Sequence, residues 1–258
     1  MKILRRKTRL LILLALSVVA AVTVTVVMIV QAHRMETLSP REERDRAGSK
    51  AGVRSVEVDC RRAKCIALTF DGNPGEPTDR LMDLLKEYEA PSTFFLEGRR
   101  IHEFPQVVRR IAAEGHEIGN HTWTHAVLTD ASDTQIRDEL RRTTQAIAGL
   151  TGTEPTLMRP PQGRTDDRVS GICEELGMAQ VLWTVTAKDY ETDDTALITE
   201  RVLAGADRDG VVLLHPLHKG TVPAMPGILK VLRERGYTFV TVSQLLAPAE
   251  AESGKIYK

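Results

Sequence analysis

From Cys65 onward the chain alternates short apolar, β-branched runs with longer segments whose apolar residues recur every three or four positions. The runs Ile66–Phe70, Thr93–Leu96, His116–Gly119, Thr156–Arg159, Gln180–Val185, Val211–Leu214 and Thr238–Val242 predict strands. Between them, Thr78–Tyr88 places Leu81, Leu84, Leu85 and Tyr88 on one helical stripe, with Lys86 and Glu87 facing out. Ser132–Leu150 aligns Ile136, Leu140 and Ile147 on one face, with Ser132 suited to cap its start and Gly149 near its end. Asp166–Leu176, Thr195–Ala204 and Pro223–Arg235 complete the predicted helices. Repeated strand-then-helix order means parallel strands joined by crossover helices. About seven such units in so short a body favour a closed or nearly closed (β/α) barrel over an open sheet.

The N-terminal pattern is different. Lys2, Arg5, Arg6, Lys7 and Arg9 precede an uncharged apolar run from Leu10 to Val30. A hydrocarbon core of ~30 Å needs roughly twenty apolar helical residues, which this run supplies. Basic residues on its N-terminal side predict a cytoplasmic N-terminus, a single-pass membrane helix and an extracellular body. Val30-Gln31-Ala32 offers small residues for cleavage, and a cut near Ala32 would make the body secreted. Signal h-regions usually span only ~7–15 residues, so the length favours an uncleaved anchor. Residues 33–54 mix charge (Arg41-Glu-Glu-Arg-Asp-Arg46) with glycine and lack apolar periodicity, which predicts an exposed linker. The expected organisation is a basic stub and signal-anchor at 1–32, the linker at 33–54, a catalytic body at 55–248 and a tail at 249–258.

Lys+Arg 35 against Asp+Glu 35 leaves no formal net charge, so nothing in the balance argues for nucleic acid as a partner. Aromatic residues are only 4% of the chain, which draws attention to Trp123 and Trp183. Cys60 and Cys65 flank a short basic loop. In an exported protein they suit a disulfide whose small loop would stabilise by only ~2 kcal/mol. Cys173 sits on a helical pattern with Ile172 and Leu176 and reads as a buried free thiol.

Five polar groups fall just beyond strand candidates: Asp71, His121, Arg159, Asp189 and His215. The C-terminal ends of barrel strands are where such folds gather their chemistry. His121 and His125, spaced i, i+4, are expected on one helical face, where neutral imidazoles could hold one divalent ion. Asp71 ends an apolar strand abruptly and is the candidate general base. His215 follows Val211-Val-Leu-Leu214 and is the candidate general acid. Arg159 cannot serve as a base and should pair with a buried carboxylate such as Asp71. A backbone N–H of Gln162 or Gly163 is the candidate oxyanion donor. Trp183 reads first as core and second as a wall of the substrate pocket.

Together these residues resemble the polysaccharide deacetylase family, the NodB homology domain of carbohydrate esterase family 4, over about Cys65 to Leu245. The resemblance implies a distorted (β/α) barrel that removes N- or O-acetyl groups from chitin-like or peptidoglycan sugars. It also implies a divalent metal, zinc first, with cobalt or nickel as alternatives. Thr69-Phe70-Asp71-Gly72-Asn73-Pro74 stands where the family has T-F-D-D-G-P, so Asp71 matches the base and Gly72 replaces a metal carboxylate. His121-Thr-Trp-Thr-His125 matches H-[ST]-x-x-H in full. Arg159-Pro160-Pro161 matches the motif whose arginine supports the base, with Gln162 in place of the usual Tyr. Leu213-Leu214-His215 matches L-x-H, with Leu213 lining the acetyl pocket. In W-x-x-D-x-x-D-W, Trp183 and Asp189 remain, while Thr186 replaces the first Asp and Tyr190 the last Trp. The resemblance implies that the Asp replaced by Thr186 tunes the acid histidine. Asn73, Asp71 or water is left to fill the metal position vacated at Gly72.

The expected activity is metal-dependent deacetylation of cell-wall or chitin-like polysaccharide. Gly72 and Thr186 favour an alternative, a catalytically silent carbohydrate-binding domain. A third reading, hydrolysis of a small non-sugar amide, uses the same barrel.

Overall fold

The computed structural model describes residues 36–47 and 58–258. The membrane-helix expectation for 10–30 lies outside them, and no helix among the described residues is long and apolar enough to cross a membrane. In chain order the elements are β1 (Thr37–Leu38), α1 (Pro40–Ala47), β2 (Lys64–Gly72), α2 (Glu76–Glu87), β3 (Thr93–Leu96), α3 (Pro105–Ala113) and β4 (Glu117–Asn120). Next come α4 (Asp133–Thr151), β5 (Leu157–Met158), α5 (Asp167–Glu175), β6 (Ala179–Val181), β7 (Val185–Thr186) and α6 (Thr195–Gly205). The chain ends with β8 (Gly210–Leu214), α7 (Thr221–Glu234), β9 (Tyr237–Val240), α8 (Val242–Leu246) and β10 (Ile256–Tyr257).

β2 is buried from Cys65 through Asp71: Ile66, Leu68 and Phe70 pack beneath the helices, while Cys65 and Ala67 face side chains of the other strands. Every strand pairing is parallel. The hydrogen-bonded path runs β1-β10-β6-β5-β4-β3-β2-β8-β7, with β9 beside the first half of β2. The expected strand Gln180–Val185 is two strands instead, because the chain changes partners there. Leu182 N–H bonds to Tyr257 O, whereas Thr184 N–H bonds to Val211 O. Leu182–Thr184 therefore spans the seam of an incomplete, curled barrel. Phe70 and Phe94 stack at 5.1 Å in the main core beneath the helices.

α4 begins as its sequence predicts, with a capping box between Ser132 and Gln135. It runs past Gly149 and ends at Gly152, which takes the left-handed conformation (φ 74°). Cys60 and Cys65 are disulfide-bonded with Cα atoms 5.5 Å apart, and Cys173 is a buried free thiol.

Two boundary expectations are corrected. Residues 37–47 are not exposed linker: α1 docks through Arg44, whose guanidinium donates to both oxygens of Asp209 (3.1 and 2.9 Å) and to Leu245 O (3.2 Å). A charged segment without apolar periodicity can be anchored by one buried bidentate pair. The tail is likewise part of the fold, since Ile256–Tyr257 pairs with β6 and Tyr257 is fully buried. Arg44→Ala leaves Asp209, 6% exposed, without its bidentate partner and with Arg208 Nε 3.7 Å away. We expect a loss of about 3–5 kcal/mol in urea unfolding, against less than 1 kcal/mol for the exposed Arg41→Ala.

Candidate active site

The carboxyl ends of β2, β3, β4, β5 and β8 open into one cleft of about 530 Å³. Asp71, His121, His125, Gln162, Trp183, Leu213 and His215 all line it, and Arg159 lies directly behind Asp71.

Asp71 is 5% exposed and Arg159 fully buried. Arg159 Nη1 donates to Asp71 Oδ1 at 2.6 Å and to Thr69 Oγ1 at 2.8 Å, while Nε donates to Val181 O at 2.9 Å. The guanidinium lies over the Phe95 ring at 4.2 Å. Burial pulls its pKa down against the opposing pull of Asp71. One carboxylate oxygen is thus fixed, and the other, Oδ2, points toward His121 Nε2 at 3.7 Å. Asp71 is the partner expected for Arg159.

His121 and His125 meet, with ring centroids 5.0 Å apart, but not on a helical face. Residues 121–127 form a loop, in which Thr122 (φ 65°) and His125 (φ 62°) take left-handed conformations that no helix contains. Gly119 and Asn120 end β4 just before this loop. A carboxylate from α4 holds the loop: Glu139 Oε2 accepts from Trp123 N and Thr124 N, and Oε1 from Thr124 Oγ1, each at 2.8 Å. Glu139→Gln keeps the shape and removes the charge. Amide hydrogen exchange at Trp123 and Thr124 is then expected to quicken about tenfold, corresponding to ~1.4 kcal/mol.

His121 Nδ1 donates to Arg159 O at 2.7 Å, which assigns the proton to Nδ1 and leaves the Nε2 lone pair facing the cleft. Burial pushes this imidazole down to about 4, so it is neutral at neutral pH, the form a metal needs. Among the described residues no three His, Cys, Asp or Glu side chains already converge as a ready-made metal cluster. The cleft nevertheless holds two buried oxygens without hydrogen-bond partners, Asn73 Oδ1 and Glu97 Oε2. A Cβ on Gly72 would meet nothing within 4 Å. Two imidazoles, orphaned oxygens and open space where a carboxylate is missing make a donor set that fits a divalent ion.

On the far wall His215 Nδ1 bonds Asp189 Oδ1 at 2.8 Å, and Asp189 Oδ2 accepts from His215 N (2.6 Å) and Thr221 Oγ1 (2.7 Å). Burial pulls the His215 imidazolium down, but the hydrogen bond and charge of Asp189 outweigh it and the net shift is upward. Burial likewise pushes the Asp189 carboxyl up, yet His215 and Thr221 hold it net below its ordinary value. The histidine's partner is therefore Asp189 and not position 186, because Thr186 ends β7 whereas Asp189 is buried beneath His215. Gln162 (φ 58°) lines the cleft with its N–H unpaired among the described residues, whereas Gly163 N–H is taken by Pro160 O at 3.0 Å. Only Gln162 remains as the backbone donor. Trp183 is half-buried and serves as wall as well as packing. A Cβ on Gly163 would come within 2.9 Å of its ring. Tyr190 and Leu217, 53% and 44% exposed, form an apolar lip beside His215.

Glu97, Glu139, Leu217 and His218 are site residues that sequence reasoning missed. Only Glu97 carried a signal, since it ends Thr93-Phe-Phe-Leu96 just as Asp71 ends its own apolar strand.

A family model for polysaccharide deacetylase matches residues 59–181. The peptidoglycan-N-acetylglucosamine deacetylase PgdA of Listeria monocytogenes is 36% identical over 195 residues, 75% of this chain and 41% of that protein. The chain thus spans about two fifths of that relative's length. Among solved structures, a T48 deacetylase with substrate is 36% identical with a TM-score of 0.75, over 78% of this chain and 100% of that one. BA3943, a CE4 family pseudoenzyme from Bacillus anthracis, is 28% identical with a TM-score of 0.69, over 76% and 70%.

Proposed function

The chain belongs to the polysaccharide deacetylase family, hydrolases of carbon–nitrogen bonds other than peptide bonds, and on that premise we propose that it deacetylates N-acetylated peptidoglycan or chitin-like glycan outside the cell. The apolar run at 10–30 supports a single-pass membrane tether for the body. One observation carries the reading. A strand-end carboxylate held by a buried arginine faces, across one cleft, a strand-end imidazole held by a buried carboxylate.

A divalent ion, zinc by preference, would be held by His121 and His125 and would supply Lewis-acid polarisation of the acetyl carbonyl and activation of water. The remaining steps belong to the chain. Arg159 fixes one Asp71 oxygen, so the other is free to take a proton from the attacking water. The water oxygen bonds to the acetyl carbon while the Gln162 N–H faces the developing negative oxygen. As the carbon–nitrogen bond breaks, the protonated His215 ring gives its proton to the departing amine, leaving acetate and a glucosamine-type sugar. Leu213 supplies an apolar wall for the methyl group, Trp183 and Tyr190 supply aromatic faces on which sugar rings can stack, and Leu217 adds apolar contact.

The test is to incubate the full-length chain, supplied with zinc or cobalt, with purified peptidoglycan and to map deacetylated sugars by mass spectrometry. Free amines on N-acetylated sugars, absent with His121→Ala, are the expected result. Glycan that binds but keeps every acetyl group would favour the silent-domain reading, which Gly72 in place of the metal carboxylate supports.

A further inference from the structure

We propose that Glu97 supplies the carboxylate that Gly72 lacks, completing a divalent-cation site with His121 and His125 and with Asn73 Oδ1 as an adjoining oxygen. The inference rests on the metal-dependent reading above and deepens it by naming the third ligand.

The backbone places Glu97, at the end of β3, between the ends of β2 and β4. Its N–H donates to Gly72 O (3.1 Å), the next N–H, that of Gly98, to Thr122 O (2.9 Å), and His121 N–H to Leu96 O (3.0 Å). Glu97 is thus the strand-tip residue beside both the vacated position and the first histidine. It is 8% exposed and lines the same cleft as both imidazoles. A carboxylate so buried should have each oxygen satisfied. Oε2 instead makes no hydrogen bond, and its nearest cation, Arg99 Nη2, stands 3.7 Å away on a half-exposed side chain. Asn73 Oδ1 is a second buried acceptor without a partner on the same wall. Two unpartnered oxygens that line one cleft with two imidazoles make a donor set suited to a divalent cation. Two histidines and one glutamate are also a recognised ligand set for catalytic zinc.

Gly72 itself is a poor seat for a restored carboxylate. Its φ of 120° is one that side-chain-bearing residues rarely adopt, although nothing occupies the space. Here the ligand has moved to the neighbouring strand while the backbone at position 72 has taken a glycine conformation.

The experiment titrates Zn2+ and Co2+ into the metal-stripped full-length chain. Calorimetry reads affinity, and the visible Co2+ spectrum reads the ligand set. The wild type is expected to bind one ion. Glu97→Ala and the isosteric Glu97→Gln should weaken binding beyond the roughly 10–100-fold that a partner outside the coordination shell costs, and should change the Co2+ spectrum. Arg99→Ala releases Glu97 from the guanidinium 3.7 Å away and should tighten binding. Unchanged affinity and spectrum in the Glu97 variants, with binding lost in His121→Ala, would overturn the Glu97 assignment while leaving the metal reading intact. A wild type that binds no ion would overturn both.

Discussion

Arg159→Met is expected to destabilise the fold by about 3–5 kcal/mol and to abolish turnover. The guanidinium is fully buried and satisfies Asp71, Thr69, Val181 and Leu182 at once, the last through Nη2 at 3.2 Å. Removing it strands a carboxylate that is 5% exposed and leaves several acceptors without donors. An isolated buried charge is far more costly than an absent one. The double variant Asp71→Leu, Arg159→Met should therefore recover much of the lost stability yet stay inactive. Urea unfolding of the four proteins gives the coupling energy directly. Strictly additive losses would mean that the two side chains do not act as a pair, and the account of Asp71 as a pre-positioned base would fail.

Replacing Asp189 by Asn should cut turnover at neutral pH and move the alkaline limb of the rate profile to lower pH. His215 can donate a proton only while it holds one, and Asp189 is what outweighs burial to keep its pKa raised. Without that carboxylate, burial dominates and the ring is neutral over more of the range. The loss approaches the 10²–10⁴-fold typical of a missing general acid, which is what His215→Ala should show directly. The stability linkage has a definite sign. A raised histidine pKa stabilises the fold fully below the unfolded value of about 6.5, and the benefit disappears as pH rises through the folded value. Asp189→Asn should flatten that part of the stability curve. An unshifted alkaline limb would remove His215 from the acid role.

How far these features could be read in advance depended on what each segment uses to hold itself in place. β2, β3 and β8 were legible because strands buried on both faces read as unbroken apolar runs ending in polar residues. α1 was not, because its anchor is Arg44 and a run such as Arg41-Glu-Glu-Arg-Asp-Arg46 looks like solvated charge until Asp209 is placed against it. β6 and β7 read as one strand because a change of partner at Leu182–Thr184 leaves no mark in hydrophobicity. The histidine pair was recognised by spacing and given the wrong geometry, since left-handed residues at Thr122 and His125 have no sequence signature outside glycine and asparagine. Assigning the histidine's partner to position 186 rather than Asp189 reflects the same limit, as motif alignment orders residues along the chain without showing which of them turns inward. Glu97 was readable by the rule that singled out Asp71, but its value appears only beside Gly72 and an unpartnered oxygen.

The central claim is that one cleft combines a divalent ion with the Asp71–Arg159 and His215–Asp189 pairs to hydrolyse an acetamide. The most direct measurement is acetate release from N-acetylglucosamine oligomers by the full-length chain, before metal removal, after it, and after zinc is returned. The account predicts acetate equal to the free amine formed, lost on chelation and restored by one equivalent of zinc. Acetate formed at the same rate without metal, or none formed with zinc bound, would contradict it.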